Sequence, residues 1–521
     1  MKFKSLQSSL KTCLLGIAML AFGAAFTACS DDDTVPTATE PFNPAQEVTI
    51  TGFTPESGGY QEQIIVKGSN FGVDKKHVTL RIGGKEAVIV SVMSDKLYAY
   101  VPSGAFSGEV EITVTDDLGN SRSAMSAKKF EYLRKKVVGT LVGYQNENDT
   151  QGEVWGSFDV AAGFNAEGTL AFDPLYPNRL YVTYDRGEGF IGQIDLEKRE
   201  STRLMSANKF QSQRLRQIAF TADGQYMLVA SDRADRNYDS PSLWIVKRNS
   251  DGTFSDASNT QQLALYKQCN TVAIHPVNGE VYFNSYENGQ LFRLDLNDYF
   301  KTFEPSEDPD KEVEPWEGTF ESGAFRELYR IMDPSYEFQI VIHPSGDYAY
   351  ITVINRSFIL RTDYDWKKKE FTTPYTVAGA NGVEDWVDAV GTSARLHRPY
   401  QGVFVKNPEY EAEGRADVYD YYFADVLNFC VRRITPDGLV RTYAGRAPST
   451  NGNIWGTEDG DLRSVARFRD VTGITYDESR DMFYVLDHNN RRIRTIGEES
   501  EDQIVTPPAE EDTPSPDEPN E

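Results

Sequence analysis

The feature that most constrains the fold of this chain is a two-strand unit that recurs six times between residues 170 and 485. Each unit has an apolar first strand, a turn and a second strand, as in Val272-Ala-Ile-His-Pro followed by Val281-Tyr-Phe. Successive units start 48 to 71 residues apart, which is the length of one four-stranded blade with variable loops. The repeat predicts an all-β chain with a six-bladed β-propeller. The six first strands start at Leu170, Ile218, Val272, Ile340, Val403 and Ile474.

The closure of this ring is predicted from a segment that lies before the first repeat. Val138-Gly-Thr-Leu-Val-Gly143 resembles a fourth strand, whereas no convincing fourth strand follows Ile496. We therefore expect residues 137–143 to supply the outer strand of blade six, in a propeller that spans 137–497. Pairing the first propeller strand with the last blade leaves no gap between the terminal blades.

The last third of the repeat carries a more specific pattern. Residues 423–434 and 485–496 both match the core Val-Ala-Asp-x-x-Asn-x-Arg-Ile-Arg, and Thr442-Tyr-Ala-Gly445 and Ala466-Arg-Phe468 lie between them. Thr376-Val-Ala-Gly379 with Ala394-Arg-Leu396 repeats this order. These motifs resemble the NHL family, which implies an NHL-type propeller. Blades one to four match the family only in their hydrophobic register.

A smaller domain is predicted at residues 47–133, where short strands alternate with glycine-containing turns. Gly68-Ser-Asn-Phe-Gly72, Val101-Pro102 and Phe130-Glu-Tyr132 resemble the TIG (IPT) family, which implies an immunoglobulin-like sandwich. Some TIG domains bind DNA, but the formal charge of −26 argues against nucleic acid as a partner. We expect this domain to act as a rigid spacer.

The N-terminus predicts export. Three lysines precede a short apolar run from Leu14 to Phe26, which is typical of a cleaved signal peptide at residues 1–28. Phe26-Thr-Ala-Cys29 resembles the lipobox of bacterial lipoproteins, so Cys29 is the expected lipidation site and 29–46 the tether. Ser30-Asp-Asp-Asp33 resembles the acidic signal that directs some lipoproteins to the outer face of the outer membrane. The alternative for these acids is a solvated linker.

Two further segments are predicted from composition and register. Residues 498–521 hold ten acids and no Lys or Arg, so they are expected to form a disordered acidic tail. Cys269 and Cys430 lie two blades apart in the repeat, which is too far for a disulfide.

No motif in the chain predicts catalysis, a metal or a cofactor. His275 and His343 occupy equivalent repeat positions, each before a proline, and are expected to cap turns. No Gly-x-Ser-x-Gly elbow and no histidine or cysteine cluster with zinc spacing is present. Because the chain has 79 acids, a catalytic carboxylate pair is not excluded. A metal-dependent propeller hydrolase or lyase stays the enzymatic alternative.

The expected architecture resembles accessory glycan-binding lipoproteins of outer-membrane glycan-uptake systems, which implies a polysaccharide ligand and a transporter or receptor lipoprotein as partner. In a propeller, the loops that enter the first strands and those that join second to third strands share one face, here called the loop face. Aromatic rings stack on sugar C–H faces, and planar polar side chains order hydroxyls. An adhesin would use the same face, and single aromatic residues can instead fill the core. The candidate ligand-binding residues are Trp155, Trp386, Trp455, Tyr400, Tyr184, Arg186, Tyr238 and Arg356.

Overall fold

The computed structural model describes residues 40–499, apart from 60–61, 103–104, 106, 145–151, 186–188, 233–236, 286–287, 305–313, 332–336 and 450–451. Cys29, Arg186 and most of the acidic tail therefore lie outside the described residues. The chain divides into two compact units, one holding most residues up to Phe130 and the other most residues from Glu131 onward. Within the described ranges, no helix is long and apolar enough to cross a membrane.

The first unit forms the immunoglobulin-like sandwich that the sequence predicts. One sheet has the strand order Thr49–Thr54, Gln63–Ser69, Lys96–Tyr100 and Val88–Met93. The other has the order Ser57–Gly58, Ser121–Tyr132, Gly108–Thr115, Val78–Ile82 and Lys85–Glu86. Side chains of Gly108–Thr115 alternate between buried and half-buried, which is the period of a strand with one face on a core.

The Gly-x-Asn-Phe-Gly turn of this sandwich has a structural role. Asn70 adopts a left-handed conformation with φ of 64°, and its Nδ2 donates hydrogen bonds to the carbonyl oxygens of Asn43 at 2.9 Å and Gln46 at 3.0 Å. The adjacent Phe71 ring is fully buried. A Cβ at Gly68 would overlap the carbonyl oxygen of Thr49, so the close approach of two strands requires glycine there.

The second unit is a propeller of six antiparallel sheets. Blade 1 contains Leu170–Phe172, Arg179–Thr183, Phe190–Asp195 and Glu200–Ser206. Blade 2 contains Arg214–Phe220, Tyr226–Asp232, Pro241–Lys247 and Thr260–Leu265. Blade 3 contains Val272–Ile274, Glu280–Ser285, Gln290–Asp295 and Phe325–Arg330.

The remaining blades follow the same order. Blade 4 contains Phe338–Ile342, Tyr348–Val353, Phe358–Asp365 and Tyr375–Gly379. Blade 5 contains Pro399–Lys406, Tyr419–Asp425, Cys430–Ile434 and Leu439–Gly445. Blade 6 contains Val471–Asp477, Met482–Asp487, Arg492–Glu498 and Lys136–Val142.

Both units also contain short secondary-structure elements. Two-residue strands at Gly156–Ser157, Glu370–Phe371, Ala389–Val390 and Gly460–Asp461 extend blades 1, 4, 5 and 6. Among the described residues, the α-helices are Leu296–Lys301 and Pro408–Ala412. The 3-10 turns are Lys75–His77, Ala207–Phe210, Ile354–Arg356, Gly391–Ser393, Val426–Asn428 and His488–Asn490.

Blade 6 takes its outer strand from the start of the propeller. Lys136–Val142 runs antiparallel to Arg492–Glu498, with Val138 opposite Ile496 and Thr140 opposite Arg494. This is the pairing expected from the resemblance of residues 138–143 to a fourth strand. The two ends of the propeller therefore share one hydrogen-bonded sheet, and that edge of the last blade is covered.

Apolar clusters fill the spaces between neighbouring blades. Between blades 5 and 6, Val431 packs with Phe468 and Phe483, and Val138 of the closing strand joins this cluster. Between blades 6 and 1, Leu486 packs with Val182. Each of the other four junctions also holds a cluster. Burying apolar surface at every junction stabilises the ring as one body, and the polar residues are left for the axis and the loops.

Candidate functional site

The axis of the ring is filled by glutamine and threonine side chains of the innermost strands. One edge of each innermost strand faces the axis and lacks a ladder partner for its backbone groups. Gln401 Oε1 accepts hydrogen bonds from the backbone N–H of Leu170 at 2.9 Å and of Ile474 at 3.0 Å. Gln217 Oε1 accepts one from the Thr271 hydroxyl at 2.7 Å. These contacts cross between blades and join the inner strands through polar groups.

A buried charge network lies on the loop-face side of this layer. Arg216 of blade 2 forms an ion pair with Asp185 of blade 1, and its Nη2 lies 2.6 Å from Asp232 Oδ2 and 3.2 Å from Glu337 Oε1, which precedes blade 4. Only 3% of the Arg216 side chain and 1% of the Asp185 side chain are exposed. Three carboxylates from three blades thus surround one guanidinium, as a buried charge requires.

The network opens towards solvent through partly exposed groups. Arg214, whose side chain is 47% exposed, places Nε 2.8 Å from Asp185 Oδ1. Across the ring, Arg398 of blade 5 places Nη2 2.9 Å from Glu167 Oε2 of blade 1, and both side chains are partly exposed. The axial cluster comprises Glu167, Asp185, Arg214, Arg216, Asp232, Glu337 and Arg398.

Burial sets the electrostatics of this cluster. It raises the pKa of Asp185 to about 7, because desolvation of the carboxylate outweighs the attraction of Arg216 and Arg214. The neighbouring Tyr400 hydroxyl has its pKa raised by burial and by the charge of Glu167. The cluster offers guanidinium donors and carboxylate acceptors side by side, which suits a ligand rich in hydroxyl groups. Within the described ranges, no group of three His, Cys, Asp or Glu residues is placed to hold a metal ion.

The NHL motif residues form buried clamps beneath the second-to-third turns of blades 5 and 6. In blade 6, Asp487 Oδ2 accepts hydrogen bonds from Asn490 at 2.7 Å and from Arg494 at 3.0 Å. Its Oδ1 accepts one from the backbone N–H of Arg469 at 2.8 Å, which fixes the end of the entering loop. Asp425, Asn428 and Arg432 repeat the clamp in blade 5. These residues position loops and are too buried to contact a ligand.

Two tryptophans of the entering loops carry stacked arginines. The guanidinium carbon of Arg446 lies 4.0 Å from the centre of the Trp386 ring, whose Nε1 donates to Thr442 Oγ1 at 2.8 Å. The guanidinium carbon of Arg469 lies 4.9 Å from the Trp455 ring, and 39% of Trp455 is exposed. The structure therefore places two of the three predicted tryptophans at neighbouring positions on the loops that enter blades 5 and 6.

Tyr184 and Tyr400 are built into the core, which corrects their expected placement on the ligand surface, and Trp155 packs against the core. Trp155 is half-buried and packs edge-on against Phe190, with ring centres 5.2 Å apart. Tyr184 is 2% exposed and stacks on the same Phe190 ring at 4.1 Å. Tyr400 is 1% exposed and lies inside the strand Pro399–Lys406 rather than in the preceding loop. Their rings fill apolar gaps within and between blades, because a large ring gains most by leaving water.

The remaining candidates are separated around the ring. Tyr238 is 51% exposed, but it lies on the second-to-third loop of blade 2 beside Tyr266, on the opposite side of the ring from Trp455. Arg356 is half-buried in the corresponding turn of blade 4, where its carbonyl oxygen accepts a hydrogen bond from Gly382 in the loop that carries Trp386. Arg186 lies outside the described residues.

The histidine and cysteine predictions have direct structural counterparts. Nδ1 of His275 accepts a hydrogen bond from the Val277 N–H at 3.3 Å, and Nδ1 of His343 accepts one from the Ser345 N–H at 3.1 Å. Both side chains therefore cap the turn that follows the first strand, as the His-Pro pattern predicts. Cys269 and Cys430 are both free and buried.

Sequence reasoning missed most of the axial cluster. Asp185 lies on the second-to-third loop of blade 1, next to two candidate residues, but Arg216, Asp232 and Glu337 match no motif. The one available signal is positional, since each of these three lies at the loop-face end of an inner strand. Their convergence depends on closure of the ring, which a local pattern does not encode.

Comparisons with known proteins agree with both folds. The IPT/TIG domain model matches residues 48–132, so the first unit is a TIG domain. No curated protein sequence matches the chain. The structure and this match together define the class of protein, which is a TIG domain joined to an NHL-type propeller.

Three solved structures from Bacteroides are related to almost the whole chain, each match covering 88% of it. A Bacteroides thetaiotaomicron protein named as a candidate phosphatase is 48% identical over 99% of its length, with a TM-score of 0.76. An auxiliary nutrient binding protein from the same species is 38% identical over 100% of its length, with a TM-score of 0.73. One from Bacteroides ovatus is 32% identical over 100% of its length, with a TM-score of 0.67. The chain belongs to the family that these proteins represent.

Proposed function

We propose that this protein is a lipid-anchored protein of the outer-membrane surface that captures a polysaccharide on the loop face of its propeller and serves a glycan-uptake system. Two family members are named auxiliary nutrient binding proteins, which supports a binding role. The TIG domain would act as the spacer, and a transporter or receptor lipoprotein would receive the captured glycan.

The observation that carries this proposal is the chemistry of the loop face. Arg214, Arg398 and Glu167 rise from the axial cluster to the surface, and Trp386 and Trp455 lie on loops of the same face. Charged planar side chains can order sugar hydroxyls through paired hydrogen bonds. The buried ion pairs beneath them hold the groups in place before a ligand arrives, which lowers the entropic cost of binding.

Titration calorimetry with a panel of soluble polysaccharides tests the proposal. Trp455→Ala should weaken the affinity about tenfold or more, which corresponds to ~1.4 kcal/mol, while the melting temperature stays unchanged because the ring is 39% exposed. The matched control is Trp366→Ala, since Trp366 is 46% exposed but lies in the third-to-fourth turn of blade 4, on the opposite face. Equal losses of affinity in the two variants would contradict a loop-face site.

The membrane anchor has its own test. Cys29→Ala should release the protein from the membrane fraction or leave it unprocessed, because the lipobox cysteine is the residue that receives lipid. Cys13→Ala is the matched control, since Cys13 lies within the proposed signal peptide and is removed with it. Protease treatment of intact cells should degrade the wild-type protein. Full protection from protease would contradict surface display.

A further inference from the structure

Within the part of the chain that the structure describes, the stacked arginines of the loop face pair with no carboxylate. Among the described residues, no carboxylate oxygen lies within 4 Å of the side-chain nitrogens of Arg446, Arg463 or Arg469, although the chain as a whole carries a formal charge of −26. Arg446 uses its Nη1 to donate to the Asn428 carbonyl oxygen at 3.2 Å, and Arg463 donates to that of Gly445. Neutral carbonyl groups orient these cations without neutralising them.

Three acids near these arginines are already paired with other residues. Asp425 and Asp388 pair with the buried Arg432, at 3.0 and 2.8 Å. Glu458 pairs with Arg467 at 2.8 Å. Among the described residues, Arg446, Arg463 and Arg469 therefore keep their positive charge without a paired carboxylate.

The environment of Arg446 holds charges of both signs. Burial lowers the pKa of this guanidinium, Cys430 and Asp425 raise it, and the neighbouring Arg463 and Arg432 lower it. Since no carboxylate among the described residues pairs with Arg446, an anion placed beside it would offset the repulsion by the other two guanidiniums. By contrast, Arg415 on the opposite face also stacks on an aromatic ring, Tyr410 at 4.1 Å, but its Nε lies 2.7 Å from Glu413.

The stacking decides which groups face a ligand. Arg446 already covers one face of the Trp386 ring at 4.0 Å, so that face is closed to a sugar and the guanidinium is presented instead. A stacked guanidinium has lost much of its rotational freedom and keeps its N–H edge free for paired hydrogen bonds. This geometry suits a carboxylate or a sulfate ester better than a neutral hydroxyl.

The two stacks share one loop. Both involve the loop that runs from Arg446 to Asp470, and the backbone N–H of Ala447 donates to the Ala466 carbonyl oxygen at 3.3 Å. That bond brings the segment beside Arg446 next to the segment that leads to Arg469. A polymer with regularly spaced charges can contact both stacks at once, which raises affinity through effective concentration.

We propose that Arg446, Arg463 and Arg469, with Trp386 and Trp455, form a rim arginine site that binds the anionic groups of an acidic polysaccharide. The inference rests on the proposed function and specifies its ligand class. The acidic residues elsewhere on the protein do not prevent this contact, because charges separated by more than about 8 Å are largely screened at physiological ionic strength.

Two matched pairs of polymers test the ligand class by calorimetry on the full-length protein. Polygalacturonate is compared with its fully methyl-esterified form for the carboxylate, and dextran sulfate with dextran for the sulfate ester. The charged member of at least one pair should bind about tenfold or more tightly than its neutral counterpart, the effect of one charge-assisted hydrogen bond. Its affinity should also fall as NaCl is raised from about 50 to 300 mM, which shortens the Debye length.

Variants test whether the rim arginine site causes the preference for the charged polymer. The double variant Arg446→Gln, Arg469→Gln should abolish the preference for the charged polymer, while Arg415→Gln on the opposite face should keep it. Melting temperatures report whether either variant is damaged, and the single variant Arg469→Gln gives a milder second test. Loss of preference in Arg415→Gln, or its retention in the double variant, would overturn the inference.

The two proposals fail in different ways. If the neutral member of each pair binds as tightly as the charged one, the rim arginine site is refuted and glycan capture stands. If no polymer of the panel binds, both the ligand class and the proposed function are refuted.

Discussion

Replacing Gly143 by alanine tests how the ring is closed. Gly143 follows the closing strand, has a φ of +98°, and lies against the backbone of Arg491 and Arg492 and the ring of Phe164. An added Cβ would overlap the Arg491 carbonyl oxygen and lie 2.9 Å from Phe164 Cδ2. Gly379 and Gly445 end the fourth strands of blades 4 and 5 in the same way, with a Cβ 2.6 Å and 2.7 Å from a backbone oxygen.

The expected loss of stability in Gly143→Ala has two sources, the backbone conformation of the residue and the packing around the added Cβ. A left-handed conformation costs alanine about 1–2 kcal/mol, and reduced freedom of the unfolded chain offsets about 0.4–1 kcal/mol of this. Forcing an atom into packed surroundings adds about 1–3 kcal/mol. Gly143→Ala should therefore lower the free energy of unfolding by about 2–4 kcal/mol. Gly438→Ala is the control, because Gly438 has a φ of +80° but open space around it, so its cost should stay near or below ~1 kcal/mol.

Thermal and urea unfolding of the full-length protein measure the difference. Gly143→Ala should resemble Gly379→Ala and Gly445→Ala, since all three sites share one environment, and all should exceed Gly438→Ala. If Gly143→Ala and Gly438→Ala cost the same, Gly143 is not packed on blade 6 and the closure by residues 136–142 is wrong.

Two further predictions concern buried carboxylates. Asp487→Ala should cost about 3–5 kcal/mol, because it breaks a fully buried ion pair of Arg494, which then keeps only the partly exposed Asp459. Asp298→Ala, which breaks the exposed pair with Lys301, should cost below ~1 kcal/mol. Equal urea midpoints of the two variants would contradict this. Burial raises the pKa of Asp185 to about 7 in the folded protein, whereas it is near 3.9 in the unfolded chain. Between these two values the folded state binds a proton that the unfolded state does not bind. The site therefore adds stability as pH falls from 8 through 7 towards 4. Asp185→Asn should therefore gain less stability than wild type between pH 8 and pH 5, and an unchanged pH dependence would refute the raised pKa.

The architecture was predictable from the sequence because the local residue patterns that determine it repeat along the chain. Each first strand buries one apolar run, and a glycine is required where the fourth strand ends against a neighbouring turn. Gly143 meets that requirement as Gly379 and Gly445 do, so the segment before the first repeat could be matched to the last blade. The turn of the TIG domain was equally informative, since Asn70 and Gly68 are each required by a specific backbone geometry.

The candidate site was less predictable, for two physical reasons. Aromatic residues in loops can fold back into apolar gaps, as Trp155 and Tyr184 do around Phe190, and sequence position alone does not separate these from exposed rings such as Trp455. The axial cluster is non-local, because Asp185 and Arg216 meet Glu337 only when the ring closes. Neither the aromatic rings that fold back nor the axial cluster produces a periodic pattern in the sequence.

The axial cluster also bears on which face of the propeller is functional. Hydrogen bonds of Gln401 and Gln217 already join inner strands of different blades, so joining these strands does not require charges above them. A buried ion network contributes little net stability compared with apolar packing, since desolvation offsets most of its attraction. Arg216 and its carboxylates are therefore poorly explained as a stabilising device. Their partly exposed neighbours Arg214 and Arg398 face the same side as the rim arginine site, where fixed charges are of use to a ligand.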